Sequence, residues 1–126
     1  MLSASKATSG FAVHDLKKAR DFYEGTLGLS VEVLDEEHGV TRLKLAEECG
    51  VLMYLSADME PASYTMLNFE VENIDTAVAE LEGRGVSFER YEGFPQDEKG
   101  VMRGNGPDIA WFKDPSGNVL AVLQQP

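Results

Sequence analysis

Few side chains in this chain can act as nucleophiles or metal ligands. There are two histidines, His14 and His38, and a single cysteine, Cys49. One cysteine cannot form an internal disulfide or a thiolate zinc cluster, and the acidic residues that precede Cys49 disfavour a reactive thiolate. His14 falls at a predicted strand–helix junction and His38 in a predicted turn. A metal shared by the two is therefore expected only if a dimer interface brings copies together.

A nucleophilic serine and a phosphate-binding loop are not expected either. Ser116 belongs to a turn signal at residues 114–118 and is not framed by glycines as the serine of a nucleophile elbow is. The glycines at 104 and 106 are followed by Pro107 and a strand-like segment, whereas a phosphate-binding loop continues into a helix. These patterns exclude the commonest hydrolase and nucleotide motifs.

The chain is strongly acidic, with 11 Lys and Arg against 22 Asp and Glu and a formal net charge of −11. Binding to nucleic acid or to an anionic membrane surface depends on basic side chains, so neither partner is expected. Two interpretations stay open: the charge keeps the protein soluble, or it attracts a cationic ligand. Residues 1–8 lack the apolar stretch of a secretory signal, and no apolar run reaches the length of a membrane span. A cytoplasmic location is expected.

The two halves of the chain resemble each other. Residues 13–19 are answered 58 positions later by residues 71–77, and each copy continues as an amphipathic helix to a glycine-containing turn. Two copies are too few for a solenoid, which buries its faces by stacking three or more units. The 126 residues are close to the commonest size of one domain. We therefore predict a single domain, 1–126, with modules at about 8–55 and 64–124 and a linker at 56–63.

Each half is predicted to have the element order βαβββ. The helix of the first half is capped by Asp15 and that of the second by Asn73. The strands are expected at residues 9–13, 30–34, 40–46 and 51–55, and then at 65–71, 86–91, 109–113 and 119–124. The last two form a hairpin, and the glycine-rich segment 93–107 is predicted to be a mobile loop over a site. This order favours an α+β fold with the helices on the outside.

Three motifs together resemble the vicinal oxygen chelate superfamily. They are Val13-x-Asp15-Leu16, Phe22-Tyr23-x3-Leu27-Gly28-Leu29 and Phe112-x-Asp114-Pro115-x-Gly117-Asn118. The superfamily includes glyoxalase I, methylmalonyl-CoA epimerase, extradiol dioxygenases, fosfomycin-resistance enzymes and bleomycin-resistance proteins. The resemblance covers residues 9–124. It implies two βαβββ modules that form a curved mixed sheet around a cavity, and a homodimer.

The metal-dependent members of this superfamily place one metal ligand on each of four strands. The matching positions here are Thr8 and Met66, where the resemblance implies histidine, Ala121, where it implies glutamate, and Met53 on the fourth strand. A hydroxyl, two thioethers and a methyl group cannot form the oxygen- and imidazole-rich site of a divalent metal. The resemblance therefore implies a member that lacks the metal ligands, and no metal or other cofactor is expected.

The resemblance also indicates which residues line the cavity. If Met66 points inward as its family counterpart does, strand alternation places Tyr64, Asn68 and Glu70 on the same face. The same argument groups Gly10 and Ala12 with Thr8, and Val119 and Leu123 with Ala121. The residues expected to bind a ligand are Thr8, Met53, Tyr64, Met66, Asn68, Glu70, Trp111 and Ala121.

Glu70 is the candidate for catalysis. An inward-facing carboxylate can contact a cationic or hydrogen-bond-donating ligand, or act as a general base. The structural alternative is an ion pair with a nearby basic residue, or exposure at the end of the strand. The basic residues considered are Arg42, Lys44 and Arg103. Aromatic side chains offer either stacking surfaces or ordinary core packing, at Tyr54, Tyr91, Phe94 and Trp111.

Three functions stay open at this point. The leading one is a metal-free protein that binds and sequesters a cationic or aromatic small molecule, similar to the bleomycin-resistance branch. The second is a lyase, isomerase or dioxygenase-like enzyme that uses Glu70 as a base or relocated metal ligands. The third is a structural or interaction module whose cavity is filled by its own side chains.

Overall fold

The computed structural model describes residues 1–104 and 106–126, so Asn105 of the predicted 93–107 loop lies outside the described residues. The chain forms two compact units, Met1–Met59 and Glu60–Pro126, and their boundary falls within the segment predicted to be a linker. The predicted α+β class is confirmed, with a mixed four-stranded sheet in the first unit and a mixed three-stranded sheet in the second. The strands and α-helices are β1 Gly10–Val13, α1 Leu16–Arg20, β2 Ser30–Asp35, β3 Val40–Lys44, β4 Gly50–Leu55, β5 Thr65–Glu70, α2 Ile74–Gly83, β6 Asp108–Lys113 and β7 Val119–Gln124.

Both predicted helix caps are confirmed. The Asp15 carboxylate accepts a hydrogen bond of 3.0 Å from the backbone N–H of Lys18, and the Asn73 carbonyl oxygen accepts one of 3.0 Å from the N–H of Thr76. Each side chain thus satisfies a backbone donor that the first helical turn leaves without an intrahelical partner. The repeat recognised in the sequence therefore corresponds to a repeated strand–cap–helix junction.

The helix of the first unit does not stay α-helical to its end. After Arg20 it continues as a π-helical segment, Asp21–Thr26, in which the N–H of Leu27 donates to the carbonyl of Phe22 at 3.0 Å. Tyr23 is fully buried there, and its ring centroid lies 5.7 Å from that of Phe11 in β1. This contact shows that the helical segment covers the face of the first sheet that carries Phe11.

The strand order of the first sheet is β1-β4-β3-β2, with β1 parallel to β4. The face that carries Phe11 also carries Met53 and Thr41, because these three residues are register partners. All three are buried, and the Thr41 hydroxyl donates a hydrogen bond of 2.7 Å to the backbone carbonyl of Met53. This face is the core of the first unit.

The second sheet has the order β5-β7-β6 and ends in the predicted hairpin between β6 and β7. The buried Asp114 carboxylate organises the hairpin turn by accepting three hydrogen bonds of 2.9 Å, from the backbone N–H groups of Ser116 and Asn118 and from the Asn118 side chain. Gly117 follows with φ +88°, a conformation that glycine adopts without steric cost.

The predicted strand at 86–91 is wrong. Such a strand would form a ladder with β6, but the described part of this segment makes a single backbone hydrogen bond to it, from the N–H of Glu89 to the carbonyl of Trp111 at 2.8 Å. The Gln96 side chain satisfies the neighbouring groups instead. It accepts a hydrogen bond from the N–H of Tyr91 and donates to the carbonyl of Glu89, at 2.8 and 2.9 Å. Hydrogen bonds of the Gln96 side chain thus take the place of a strand-to-strand hydrogen-bond ladder.

The α-helices are short in both units. In the parts of the chain that the structure describes, no helix has the length and apolar character needed to cross a bilayer.

Candidate ligand-binding site

One face of the second sheet carries a row of three residues that crosses all three strands. The register pairs Asn68 of β5 with Ala121 of β7, and Ala121 with Trp111 of β6. Residues directly opposite one another project from the same face of a sheet. Ala121 is fully buried and carries only a methyl group, whereas Asn68 is exposed. The row therefore places a small, buried residue between an exposed polar side chain and an indole.

Glu70 lies in the next row of the same face. It pairs in register with Leu123, which pairs with Ile109. Asn68 and Glu70 thus share a face with Ala121 and Leu123, as strand alternation predicts. Glu70 is exposed at the end of β5, where a carboxylate keeps its hydration.

The three basic residues that were considered as partners of Glu70 form their ion pairs with other carboxylates. Arg42 and Lys44 lie 3.6 and 3.8 Å from Glu32, on the first sheet. Arg103 pairs with three aspartates that are described below. Among residues 1–104 and 106–126, the ion pairs of these basic side chains do not include Glu70. Of the two structural alternatives, exposure at the strand end is the one observed.

A bulge limits how far the alternation argument extends along β5. The register shifts between Thr65 and Leu67, so that Thr65 pairs with Val119 and joins the face of Ala121. Met66 lies at the irregularity and is half-buried, and Tyr64 precedes the strand and is exposed. Simple alternation therefore does not extend from Asn68 back to these two residues, because one residue interrupts the period of two, and their place on the face of Asn68 stays a prediction.

The rings of Tyr91 and Phe94 contact that of Trp111, and the three side chains form what we call the aromatic cluster: Trp111, Tyr91 and Phe94. The ring centroids lie 5.5 Å apart for Tyr91 and Trp111, 5.4 Å for Phe94 and Trp111, and 5.6 Å for Tyr91 and Phe94. Trp111 is only 8% exposed, whereas Phe94 is 47% exposed. The cluster therefore has a buried indole at its base and an exposed phenyl ring at its surface.

The indole of Trp111 is fixed in place by a hydrogen bond across the sheet. Its Nε1–H donates to the hydroxyl of Thr65 at 3.1 Å, and β7 lies between the two strands that carry these residues. The side chain packs against Val119 and Ala121, with Met102 and Ile109 beside it. The indole ring thus packs with the small residues of β7 on this face of the sheet.

Tyr91 and Phe94 are the two ends of one tight turn. The N–H of Phe94 donates to the carbonyl of Tyr91 at 3.1 Å, and Gly93 has φ +85°, as the third position of a type II turn requires. Burial, together with the nearby Glu89 carboxylate, raises the pKa of the Tyr91 phenol. The turn therefore presents one half-buried and one exposed ring to the indole.

The segment after this turn is fastened to the rest of the unit. Gln96 donates to the carbonyl of Gly100 at 2.8 Å, in addition to its bonds with the 89–91 segment. Met102 exchanges backbone hydrogen bonds of 2.8 and 3.1 Å with Ile109 of β6. The Arg103 guanidinium contacts three carboxylates, those of Asp75 at 2.6 Å, Asp97 at 3.4 Å and Asp108 at 3.2 Å. Much of the predicted 93–107 loop is thus held by specific contacts.

The remaining predicted site residues belong to the first unit. Thr8 is exposed and precedes β1. Gly10 and Ala12 pair in register with Leu52 and Tyr54, so Met53 projects from the opposite face of this sheet. Met53 cannot share a face with Gly10 and Ala12 as expected. The reason is that no motif anchors the fourth strand, and a register error of one residue reverses the face.

The four residues that the resemblance matches to the superfamily's metal ligands do not carry side chains that fit a divalent metal. Thr8 offers a hydroxyl, Met53 and Met66 offer thioethers, and Ala121 contributes only a methyl group. Within the described ranges, no three His, Cys, Asp or Glu side chains are grouped as a metal site would require. These four side chains therefore do not form the oxygen- and imidazole-rich donor set that such a metal prefers.

The histidines and the cysteine lie in the first unit. His14 Nε2 is 2.7 Å from the backbone carbonyl of Met59, and His38 Nδ1 is 2.8 Å from the Asp35 carboxylate. Cys49 is an exposed, free cysteine. These contacts are local, and neither histidine lies with the other in a common cluster among the residues described.

The first unit also contains a groove of about 460 Å³ between the helical segment and the edge of its sheet. Leu16, Val33 and Thr41 form its apolar and neutral lining. Its charged residues largely pair with one another, Lys17 with Asp21 at 3.0 Å and Arg20 with Glu24 at 3.2 Å. We assign no ligand to this groove because those charges already have partners.

Sequence reasoning did not identify Thr65 and Gln96, although both fix the aromatic cluster. Gln96 acts on backbone groups four to seven residues away, and no sequence pattern marks a side chain with that role. Thr65 reaches Trp111 only because β5 and β6 flank the same strand. Long-range register, rather than local spacing, produces both interactions.

Comparisons with known proteins agree with this architecture. The family described as the Glyoxalase/Bleomycin resistance protein/Dioxygenase superfamily matches residues 7–122. The uncharacterized protein YraH of Bacillus subtilis (strain 168) is 28% identical over 124 residues, which cover 89% of this chain and 91% of that protein.

Two solved structures extend the comparison. TnmS3, an antibiotic binding protein from Streptomyces sp. CB03234, is 25% identical, with 98% of each chain covered and a TM-score of 0.69. A member of the glyoxalase/bleomycin resistance protein/dioxygenase superfamily from Sphaerobacter thermophilus DSM 20745 is also 25% identical. It has a TM-score of 0.70, with 95% of this chain and 98% of that chain covered. The match over residues 7–122 spans most of the sequence, and the chain therefore belongs to the glyoxalase/bleomycin resistance protein/dioxygenase superfamily.

Proposed function

We propose that this protein binds a planar, aromatic and cationic small molecule, without a metal, on the face of the second sheet that carries Asn68, Ala121 and Trp111. The observation that supports this proposal most directly is the row itself. The small, buried Ala121 lies between the exposed amide of Asn68 and the indole of Trp111. A flat ring of the ligand can stack on the Trp111 indole while a polar group of the ligand contacts the amide.

The charge distribution supports a cationic ligand. Glu70 lies one row from Asn68 on the open side of the face, and its exposed carboxylate is available to a positive group. The chain as a whole carries a formal charge of −11, which raises the local concentration of cations near the surface. Aromatic side chains add attraction for a cation through their ring faces.

The chemistry at the superfamily's metal positions supports binding rather than metal-dependent catalysis. Ala121 stands where a metal-dependent member would carry glutamate, and it forms the middle of the row instead. A carboxylate at this position would project into the space that the proposed ligand occupies. An alanine at this position therefore supplies no metal ligand.

The similarity to TnmS3 supports the same kind of role. That protein is an antibiotic binding protein, and the two chains align over nearly their whole lengths. We propose that the present chain likewise binds a small molecule and sequesters it, with an identity set by its own side chains. The enzyme alternative, with Glu70 as a general base, stays a prediction.

A binding experiment with probes of defined shape and charge tests this proposal. Because Trp111 is the single tryptophan of the chain, its fluorescence reports directly on the proposed site. Proflavine, a planar aromatic cation, is expected to bind with 1:1 stoichiometry in calorimetry and to change the Trp111 emission. Spermidine, an aliphatic cation, and 1-naphthoate, a planar anion, are expected to bind much more weakly. Glu70→Gln should weaken the binding of proflavine about two- to tenfold, the range expected for one exposed charge contact.

Two results would overturn the proposal. The first is the absence of binding by every planar compound in both assays. The second is stoichiometric retention of Ni, Zn, Fe or Mn after incubation and gel filtration of untagged protein, which would favour the enzyme alternative. Loss of proflavine binding on Asn68→Ala, with an unchanged melting temperature, would assign the binding to this face.

The proposal includes a homodimer. Val33 and Leu34 are large apolar residues that are exposed on the edge strand β2, and association of two chains would cover such residues. Sedimentation velocity of the wild-type protein tests this, with Val33→Lys as the variant expected to dissociate the dimer. A wild-type protein that sediments as a monomer at high concentration would contradict it.

A further inference from the structure

We propose that Phe94 occupies the place on the Trp111 indole that the ring of the ligand takes, so that binding requires Phe94 to swing away. This inference rests on the proposed function and names the residue that determines which ligands the site accepts. Phe94 is a specificity-determining residue because a ligand must replace the contact that its phenyl ring makes.

The geometry of the cluster singles out Phe94 among the rings that cover the indole. Trp111 is 8% exposed, its ring contacts those of Tyr91 and Phe94, and Met102 and Ile109 pack against the cluster to which it belongs. Phe94 is the member of this set with a largely exposed ring, at 47%. Its centroid lies 5.4 Å from that of Trp111 at an interplanar angle of 52°, a tilted contact rather than a close stack. A parallel aromatic ring would make a larger contact with the same indole.

The hydrogen bonds of the segment also permit Phe94 to move while its neighbours stay in place. Residues 96–103 are fastened by Gln96, by the backbone bonds of Met102 and by the carboxylate contacts of Arg103. Phe94 is held by its backbone. Its N–H donates to the carbonyl of Tyr91 at 3.1 Å, and its carbonyl accepts from the N–H of Gln96 at 2.9 Å. A rotation about the side-chain bonds of Phe94 breaks neither.

Displacement of Phe94 carries a cost that depends on the ligand. Removal of the phenyl ring exposes the indole, and a planar aromatic ligand restores an aromatic contact in its place. An aliphatic cation restores the charge contact with Glu70 but leaves the indole in water. A planar ligand therefore offsets the cost of displacing Phe94 through its own contact with the indole, whereas a ligand without a ring does not.

The first test needs no ligand. Quenching of Trp111 fluorescence by acrylamide measures how accessible the indole is. Phe94→Ala should increase the quenching constant about two- to fivefold and shift the emission to the red, since the variant removes the most exposed part of the cover. Leu55→Ala, which removes an exposed apolar side chain from the first unit, is the matched control and should change neither. Equal quenching of Phe94→Ala and wild type would show that Phe94 does not cover the indole.

The second test measures binding. Phe94→Ala should bind proflavine about three- to tenfold more tightly than wild type, the range that corresponds to one aromatic pair contact. It should also discriminate more between proflavine and spermidine, because spermidine makes no contact with the indole and gains nothing from removal of the phenyl ring. Phe94→Leu, which keeps apolar cover without the ring, should fall between the two proteins and guards against a folding defect in the alanine variant.

The outcomes separate this inference from the proposed function. Binding of proflavine by wild type with unchanged affinity in Phe94→Ala would overturn the role of Phe94 and leave the proposed function intact. Weaker binding by Phe94→Ala would also overturn it, because Phe94 would then be a ligand contact rather than a competitor. Failure of both proteins to bind any planar compound would overturn the proposed function itself.

Discussion

The Nε1–H of Trp111 donates a hydrogen bond of 3.1 Å to the hydroxyl of Thr65, with the strand β7 between them. This bond exists because a bulge brings Thr65 onto the same face as Ala121. It satisfies the single polar group of a side chain that is 8% exposed. It also sets the direction of the indole, and with it the position of the aromatic cluster next to the Asn68–Ala121 row.

Thr65→Val should destabilise the protein by about 1–2 kcal/mol. Valine has nearly the shape of threonine, so the main change is a buried indole N–H without an acceptor. The free energy of unfolding in urea, followed by Trp111 fluorescence, measures this effect. Thr65→Ser keeps the hydroxyl and should cost less than half as much. Equal losses in the two variants would show that the methyl group of Thr65, rather than its hydroxyl, stabilises the site.

Asp114→Ala should be among the most destabilising single substitutions in the second unit, at about 2–4 kcal/mol. The carboxylate accepts hydrogen bonds from two backbone N–H groups and one side chain within the buried hairpin turn, and alanine leaves all three donors without this acceptor. Equilibrium unfolding in urea measures the loss. Asp58→Ala is the control, because Asp58 is exposed and its contact is with the Ser56 hydroxyl. It should cost less than about 0.5 kcal/mol, and a similar loss in both variants would contradict this account.

The local features of the fold could be predicted from the sequence because each depends on a few adjacent residues. Asp15 and Asn73 cap their helices through N–H groups three positions away. The hairpin turn follows from the residues between Asp114 and Asn118, whose carboxylate and glycine both act within the turn. In all these cases the sequence pattern and the stabilising interaction occupy the same few positions.

The features that could not be predicted depend on residues far apart in sequence. The strand expected at 86–91 has suitable residues, but the Gln96 side chain takes the hydrogen bonds of a ladder. Met53 was expected on the ligand face, and register with Phe11 places it in the core of the first unit. A single bulge at Met66 ends the alternation that places Asn68 and Glu70. Register is a property of strand pairs, and one strand's sequence does not determine it.

Acid should weaken the second unit partly through Asp97. Burial opposes ionisation of this carboxyl group, but hydrogen bonds from the backbone N–H groups of Val101 and Lys99 and from Arg103 outweigh it, and its pKa lies below the usual 3.8. The resulting stabilisation is fully present above the unfolded pKa of about 4 and is lost as the pH falls through the lower folded pKa. Asp97→Asn should therefore cost stability at about pH 6 and much less at about pH 2.

Urea unfolding of the wild type and of Asp97→Asn across this range tests that prediction. The asparagine keeps an acceptor oxygen for the backbone N–H groups, so the difference between the two proteins isolates the charge. The two stabilities should converge as the pH falls. A difference that stays constant from about pH 6 to about pH 2 would show that ionisation of Asp97 does not contribute.

Arg103 should control local opening of the 96–102 segment more than it controls global stability. Its guanidinium is partly exposed, so its three carboxylate contacts are screened by water and salt, and Arg103→Gln should cost only about 1 kcal/mol in unfolding free energy. The same variant should speed hydrogen exchange of the Met102 amide several-fold, because that amide donates a hydrogen bond to the carbonyl of Ile109, next to Arg103 in sequence.

Arg103→Lys should have an intermediate effect, since a single ammonium group cannot span three carboxylates as a guanidinium does. High salt should reduce the difference between wild type and Arg103→Gln, and Met102 exchange at the same rate in all three proteins would show that the Gln96 bonds alone hold the segment.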